Sequence, residues 1–370
     1  MVALFLQWQF VVHADEPKKG DEKENKEKKS WYDNIQLSGD FRFRHETILQ
    51  ENSPERNRER IRLRVAGEAE VADDFKCFLR LASGAPEPTS TNQTLDEGFS
   101  SKSIWLDLAY FELKPAAAKG FSLSGGKMKN PFYLPGESDL IWDIDVTPEG
   151  LAAKYLLALG TIEPFLTAGG FWVKERPADP DSYLLAGQGG ANIRLSDTTE
   201  LRFGVSYFDY QNAKNYETFY NTSNGYGDTT YTVGTNTYYL YQYGEIEGFA
   251  EVSIKAGNMP ISLFCDYVSN HKVSKSKEGF LVGFCVGKAK NAGDWSLKCN
   301  YRRLEKDAVI GAFTDADCWG GGTNGKGIKV QFDIAVAKNT VISATGFLDK
   351  KDLDNEQDYK KFQVDISFKF

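Results

Sequence analysis

Among the arginines of the early part of the chain seven stand out, six of them at alternate positions. Arg42 and Arg44 come first, then Arg58, Arg60, Arg62 and Arg64, with Arg80 after them. In an extended chain alternate side chains point the same way. Rows on adjacent strands, ~4.8 Å apart, therefore merge into one basic patch. Burying so many guanidinium groups in an apolar core is prohibitive. Facing water inside a channel they are tolerable. There they would set a transverse field across a constriction or form a track for anionic solutes. The other reading is structural: the arginines pair with Asp40, Glu68 and Glu70 and stiffen a wall.

An acidic counterpart lies in Met128–Glu149, MKNPFYLPGESDLIWDIDVTPE, which offers Glu137, Asp139, Asp143, Asp145 and Glu149. Folded into a channel opposite the arginines, these acids would narrow it and orient polar solutes. Asp143-x-Asp145 with Glu149 is also a set of hard oxygen ligands of the kind calcium takes, although the spacing matches no EF-hand loop. A loop packed outside remains a third reading, and the expectation is no metal. Gln211–Gly244 is rich in Tyr, Thr, Asn and Gly. Its tyrosines fit sugar stacking, or an extended hairpin above an aromatic belt.

Enzymatic chemistry finds little support. The histidines are His13, His45 and His271, and no GxSxG, P-loop or GxGxxG in a strand–helix context appears. We expect no enzyme and no cofactor. Cys77, Cys265, Cys285, Cys299 and Cys318 are odd in number and widely spaced, without a CxxC pair. That argues against a zinc or disulfide framework. Cys77, Cys265 and Cys299 sit in register with apolar neighbours and are expected on a lipid-facing surface. Cys318 is expected on an exposed outer loop.

The elements that must position these residues are strands. In YKKFQVDISFKF, Phe362, Val364, Ile366, Phe368 and Phe370 alternate with Lys361, Gln363, Asp365, Ser367 and Lys369. A period of two with unlike faces means a strand between two solvents. The same alternation puts Ile61, Leu63 and Val65 opposite Arg60, Arg62 and Arg64. It recurs in about sixteen segments from Trp31 onward, an even number as single-chain bacterial barrels require. Short connections such as Asp73-Asp74 and Lys338-Asn339 alternate with long ones such as Thr47–Asn57, Gly84–Ser103, Glu305–Lys326 and Asp349–Asp358. Short periplasmic turns and long outer loops are the barrel pattern. The expected fold is all-β: a transmembrane antiparallel β-barrel enclosing a water-filled channel. Aromatic residues at 14% suit girdles at both membrane interfaces. No run reaches the ~18–20 apolar residues of a membrane helix.

Ala3–Val12 is largely apolar, and Val12-His13-Ala14 fits a signal-peptidase site, although no basic residue precedes it. We read residues 1–14 as a signal peptide, 15–30 as a charged flexible linker, and 31–370 as the barrel. A net charge of −8 argues against nucleic acid as a partner.

RLRVAGEAEVADDFKCFLRLASG (Arg62–Gly84), LAYFELKP (Leu108–Pro115), GGKMKNPF (Gly125–Phe132) and SDLIWDIDVTPEG (Ser138–Gly150) resemble the bacterial "putative porin" family of outer-membrane barrels. FTDADCWGGGTNGKG (Phe313–Gly327) resembles its glycine-rich late loop. The resemblance implies outer-membrane location and passive diffusion of small hydrophilic solutes and ions. The partners it implies are outer-membrane lipid and those solutes; the terminal alternation ending in Phe370 is expected to be read by the barrel-insertion machinery. Large porins often form homotrimers, but no residue set here separates trimer from monomer. A channel selective for carbohydrates or anions remains an alternative. So does a plugged barrel acting as an adhesin or surface receptor.

Overall fold

Strands built on a period of two can hide every backbone donor and acceptor from lipid only by closing on themselves. The computed structural model, which describes residues 34–370, closes in this way. Its wall strands are β1 (Ile35–Gln50), β2 (Arg56–Ala72), β3 (Phe75–Ser83), β4 (Ile104–Leu113), β5 (Phe121–Lys127) and β6 (Glu149–Leu156). Next come β7 (Ile162–Lys174), β8 (Ser182–Arg194), β9 (Thr199–Gln211), β10 (Gly244–Ala256) and β11 (Met259–Asn270). The circuit ends with β12 (Glu278–Gly287), β13 (Trp295–Leu304), β14 (Gly325–Ala337), β15 (Thr340–Lys351) and β16 (Gln357–Lys369). Each strand pairs antiparallel with the next, and β16 returns to pair with β1 from Asp40↔Lys369 to Gln50↔Tyr359. The signal peptide and linker expected at residues 1–30 lie outside the described residues.

The alternation separates two environments. On β16, Phe362, Val364 and Phe368 stand exposed on the outer surface, while Lys361, Gln363 and Asp365 are buried inside. On β11, Leu263, Cys265 and Tyr267 face out; Phe264, Asp266 and Val268 face in. In a membrane the outer set meets acyl chains.

Two expected loops are shorter than the sequence suggested. The β1–β2 ladder continues to Ile48↔Arg56, leaving residues 51–55 to turn. Cross-strand bonds carry it upward: Arg58 pairs with Glu46, and the Thr47 hydroxyl donates to Asn57 Oδ1 at 2.6 Å. The β15–β16 ladder likewise continues to Lys351↔Gln357.

The interior is not open across its full width. On β7–β12 many inward side chains are apolar, among them Phe171, Leu184, Phe208, Phe264, Val268 and Leu281. Three long connections fold inward and cover them. Residues 128–148 contribute Phe132, Leu140 and Trp142, residues 212–243 contribute Phe219, Tyr239 and Tyr243, and residues 305–324 contribute Ile310 and Trp319. Phe132 meets Phe208 edge-on at 5.2 Å and Trp142 at 5.7 Å. This sector is a packed core inside the barrel, not the uniformly water-filled lumen expected. The remaining sector, β13–β16 with β1–β3, keeps its charged inward face.

Candidate functional site

The charged sector begins with cross-strand register. On the inward face of β1 and β2, Asp40 lies opposite Arg64, Arg42 opposite Arg62, Arg44 opposite Arg60 and Glu46 opposite Arg58. On its other side Arg44 faces Asp365 of β16. Arg44 binds that carboxylate at two points, Nε to Oδ1 at 2.6 Å and Nη2 to Oδ2 at 2.8 Å. Asp40 is shared by Arg62 at 2.9 Å and Arg64 at 2.7 Å. Most of this row therefore forms ion pairs within the wall. Glu68 and Glu70 bind Lys76 rather than arginine, because they lie nearest it in the register.

The connection of residues 128–148 crosses the interior and is fastened to the far wall. Tyr133 N donates to Gln188 Oε1 at 2.7 Å, and Gln188 Nε2 donates back to Tyr133 O at 3.0 Å. Gly136 N donates to Glu251 Oε2 at 2.7 Å. Gly136 has φ 59°, and a Cβ there would lie 2.5 Å from the Phe264 ring, so glycine permits both the turn and the close approach. Lys298 Nζ donates to Glu137 O at 3.1 Å.

Residues 305–324 descend beside this loop. Asp143 N donates to Phe313 O at 2.7 Å, and Ala316 N to Asp143 Oδ2 at 3.1 Å. Asp315 pairs with Arg302 of β13 at 2.8 Å. Asp317 pairs with Lys361 at 2.9 Å, accepts from Gln363 at 3.0 Å, and reaches Arg44 at 3.4 Å. Burial alone would raise the Asp315 carboxyl, but Lys329 and Arg302 outweigh it and hold the group at about 2. Lys361 and Arg44 hold Asp317 well below the ordinary carboxylate range against the same burial. Asp143 goes the other way: burial, then repulsion from Asp139, Asp145 and Asp315, push it well above that range.

Between the arginine wall and these loops runs a cavity of about 1400 Å³. Its lining reaches from Glu87 and Asp352 at the long-loop end to Lys288, Asn339 and Lys369 at the short-turn end. Arg42, Arg44, Arg58, Arg60 and Arg62 line it, and so do Glu137, Asp139, Asp143 and Asp145. Three expected members do not. Arg64 is drawn to Asp40 and Asp145, and Arg80 pairs with Asp107 on β4. Glu149 is the first residue of β6 and pairs with Lys127.

The lining also includes groups that the sequence reading did not single out: Lys298 and Lys329 on the wall, and Asp315 and Asp317 from the second loop. Alternation alone places the two lysines inward. Cys318, expected on an exposed loop, is buried with its Sγ donating to Asp315 at 3.2 Å, because its loop folds into the barrel.

The calcium set does not converge. Asp145 pairs with Arg64, Glu149 with Lys127, and Asp143 accepts from Ala316 N. His45 pairs with Glu59 at 2.6 Å, and His271 contacts the Tyr207 hydroxyl at 3.0 Å; neither lines the cavity.

A closed sixteen-strand wall, apolar outside and narrowed within by its own loops, is the architecture of a membrane pore. The chain belongs to the family described as "Putative porin", whose model matches residues 47–241 and 241–370. It is an outer-membrane β-barrel channel. Its fold is similar to OprB of Pseudomonas putida, at 13% identity and TM-score 0.61, covering 91% of this chain and 94% of that one. It is also similar to Salmonella typhi OmpF, solved in complex with daunomycin, at 12% identity and TM-score 0.55, covering 91% and 97%. OmpT of Vibrio cholerae in its trimer form matches at 12% identity and TM-score 0.50, covering 91% and 99%. No curated protein matches in sequence.

Proposed function

We propose that this barrel is a passive diffusion pore for small hydrophilic solutes and ions, exported by way of residues 1–14. The observation that carries the reading is the cavity itself, whose lining reaches both ends of the barrel along a charged wall. Cations stand on β1, β2, β13 and β14, and the carboxylates of two inward loops stand against them. A solute crossing there trades part of its hydration for contacts with fixed charges of both signs, while the packed sector limits its size. The homotrimer is part of the same proposal; the OmpT structure described in its trimer form supports it by fold alone.

The test is conductance of the purified protein in a planar bilayer. Stepwise ohmic openings, together with uptake of small neutral solutes into loaded vesicles, are expected. A barrel that inserts and folds yet passes neither ions nor solutes would sink the pore and favour a plugged surface receptor.

A further inference from the structure

The strand register leaves two wall arginines without a carboxylate of their own. Arg42 is flanked across the ladders by Arg62 and Ser367, and Arg60 by Arg44 and Thr94. Among the described residues Arg60 has no carboxylate within ion-pair distance. Arg42 reaches only Asp365 Oδ2, at 3.8 Å, and Arg44 already holds that oxygen at 2.8 Å. Like charges opposite one another on adjacent strands repel. Two guanidinium groups on diagonal positions, one sharing a carboxylate at 3.8 Å and one with none, therefore need a further acceptor near them.

The structure supplies a neutral one. β3 ends at Ser83 while β2 runs on to Arg56, so residues of the β3–β4 connection take up the free edge of β2. Gln93 and Thr94 pair with Ile61 and Arg60 there, and the Ser83 hydroxyl donates to Thr91 O at 3.1 Å. This brings Asn92 between the two arginines. Arg42 Nη2 donates to Asn92 Oδ1, and Arg60 Nη2 donates to Asn92 O at 3.3 Å. An amide brings no net charge, so the local excess of positive charge remains. The Nε of each arginine also has no partner, and Arg60 is only 8% exposed although it lines the cavity. Three loop acids around the same cavity are committed elsewhere: Asp145 to Arg64, Asp315 to Arg302 and Asp317 to Lys361.

We propose that Arg42, Arg60 and Asn92 form a subsite for a small oxyanion, the carboxylate or phosphate of a passing solute. The proposal rests on the pore reading and gives it a preferred solute class. Guanidinium forks match the paired oxygens of both groups. The site lies in a low-dielectric wall, where an uncompensated charge acts strongly on an incoming ion.

The test is block of single-channel current by acetate, succinate or inorganic phosphate in ~0.1 M KCl, where screening is partial. Wild type should show saturable, voltage-dependent block. Arg42→Gln/Arg60→Gln should weaken it by about tenfold or more, the loss of roughly one charge-assisted contact. Lys76→Gln, remote from the cavity, should leave it unchanged. Block by phosphate alone, or by carboxylates alone, supports the subsite and names its source. An open wild-type channel that none of the three anions blocks overturns the subsite while leaving the pore intact. Equal block in the double variant does the same. If no channel opens, the pore reading falls, and thermal melting of the folded barrel decides the subsite. A rise in melting temperature with phosphate or succinate that the double variant loses would support it, and no rise would overturn it.

Discussion

Arg44 of the first wall strand and Asp365 of the last lie directly opposite one another at the seam and share a two-point ion pair at 2.6 and 2.8 Å. Both side chains are nearly inaccessible to solvent. Removing Asp365 leaves Arg44 only its longer contact with Asp317, at 3.4 Å, so the loss should approach the roughly 3–5 kcal/mol of a broken buried pair. Asp365→Asn should lower the urea midpoint of unfolding from vesicles accordingly, while Lys76→Gln, whose partly exposed ammonium bridges Glu68 and Glu70, should lie within about 1 kcal/mol of wild type. Equal midpoints for Asp365→Asn and wild type would show that the seam does not depend on this pair.

Charge selectivity should follow the register rather than the number of arginines. Arg60→Gln removes a cation with no carboxylate partner and should shift the reversal potential in a salt gradient towards cations. Arg64→Gln removes a cation paired to both Asp40 and Asp145. Arg64 itself is off the cavity lining and Asp40 keeps Arg62 as a partner, so the shift should be smaller. At ~1 M salt, where the Debye length is ~3 Å, both shifts should shrink. A larger effect for Arg64→Gln would contradict the assignment.

The second inward loop should be held down by charge until strongly acid pH. The Asp315 and Asp317 carboxyls are depressed in the folded state, so their stabilisation is present above the ordinary carboxylate value, 3.8, and is lost as pH falls through about 2 for Asp315. Asp143 has the opposite sign, being raised, and favours the folded state more as it protonates on acidification. Protease cleavage within residues 305–324 should therefore stay low down to about pH 4 and rise only in the window below it. Arg302→Gln should move that onset upward. Cleavage at neutral pH in the wild type would contradict the ion-pair anchoring.

Trp142 ties the first inward loop to the packed sector, with its Nε1 donating to the Tyr210 hydroxyl at 3.0 Å. Trp142→Ala should cost about 3–5 kcal/mol of local packing. Open-channel noise should increase, and the mean conductance should rise as residues 128–148 leave the lumen. Unchanged conductance with unchanged noise would mean that this loop does not set the bore.

Thiol chemistry separates the three environments. A small charged methanethiosulfonate reagent should modify Cys285, which lines the cavity, and reduce conductance. Cys265 on the lipid face and buried Cys318 should stay unreacted until the barrel is unfolded. Mass spectrometry of intact membranes reads all three, and rapid labelling of Cys318 would mean that its loop does not fold inward.

The wall was legible in the sequence because a strand between lipid and water records its orientation in every residue. Loops folded into the barrel leave a weaker trace. It lies where the alternation fails, as at Tyr207-Phe208 or Leu263–Cys265, where apolar residues occupy both faces. Those doubly apolar stretches mark the sector the loops cover. Which arginines are neutralised was not legible, because the answer depends on register between strands far apart in the chain. Arg44 and Asp365 are 321 positions apart, and spacing along one strand carries no information about them.

Asp317 is gripped at once by Arg44 of β1 and by Lys361 and Gln363 of β16. Its binding place does not exist until those two strands have met. During assembly the loop that carries it can therefore engage all three partners only after the cylinder is complete. The same contact that narrows the passage works as a latch reporting that the circle is shut. A cylinder still gaping at β1 and β16 would lack the latch, and its widest state would be its unfinished one.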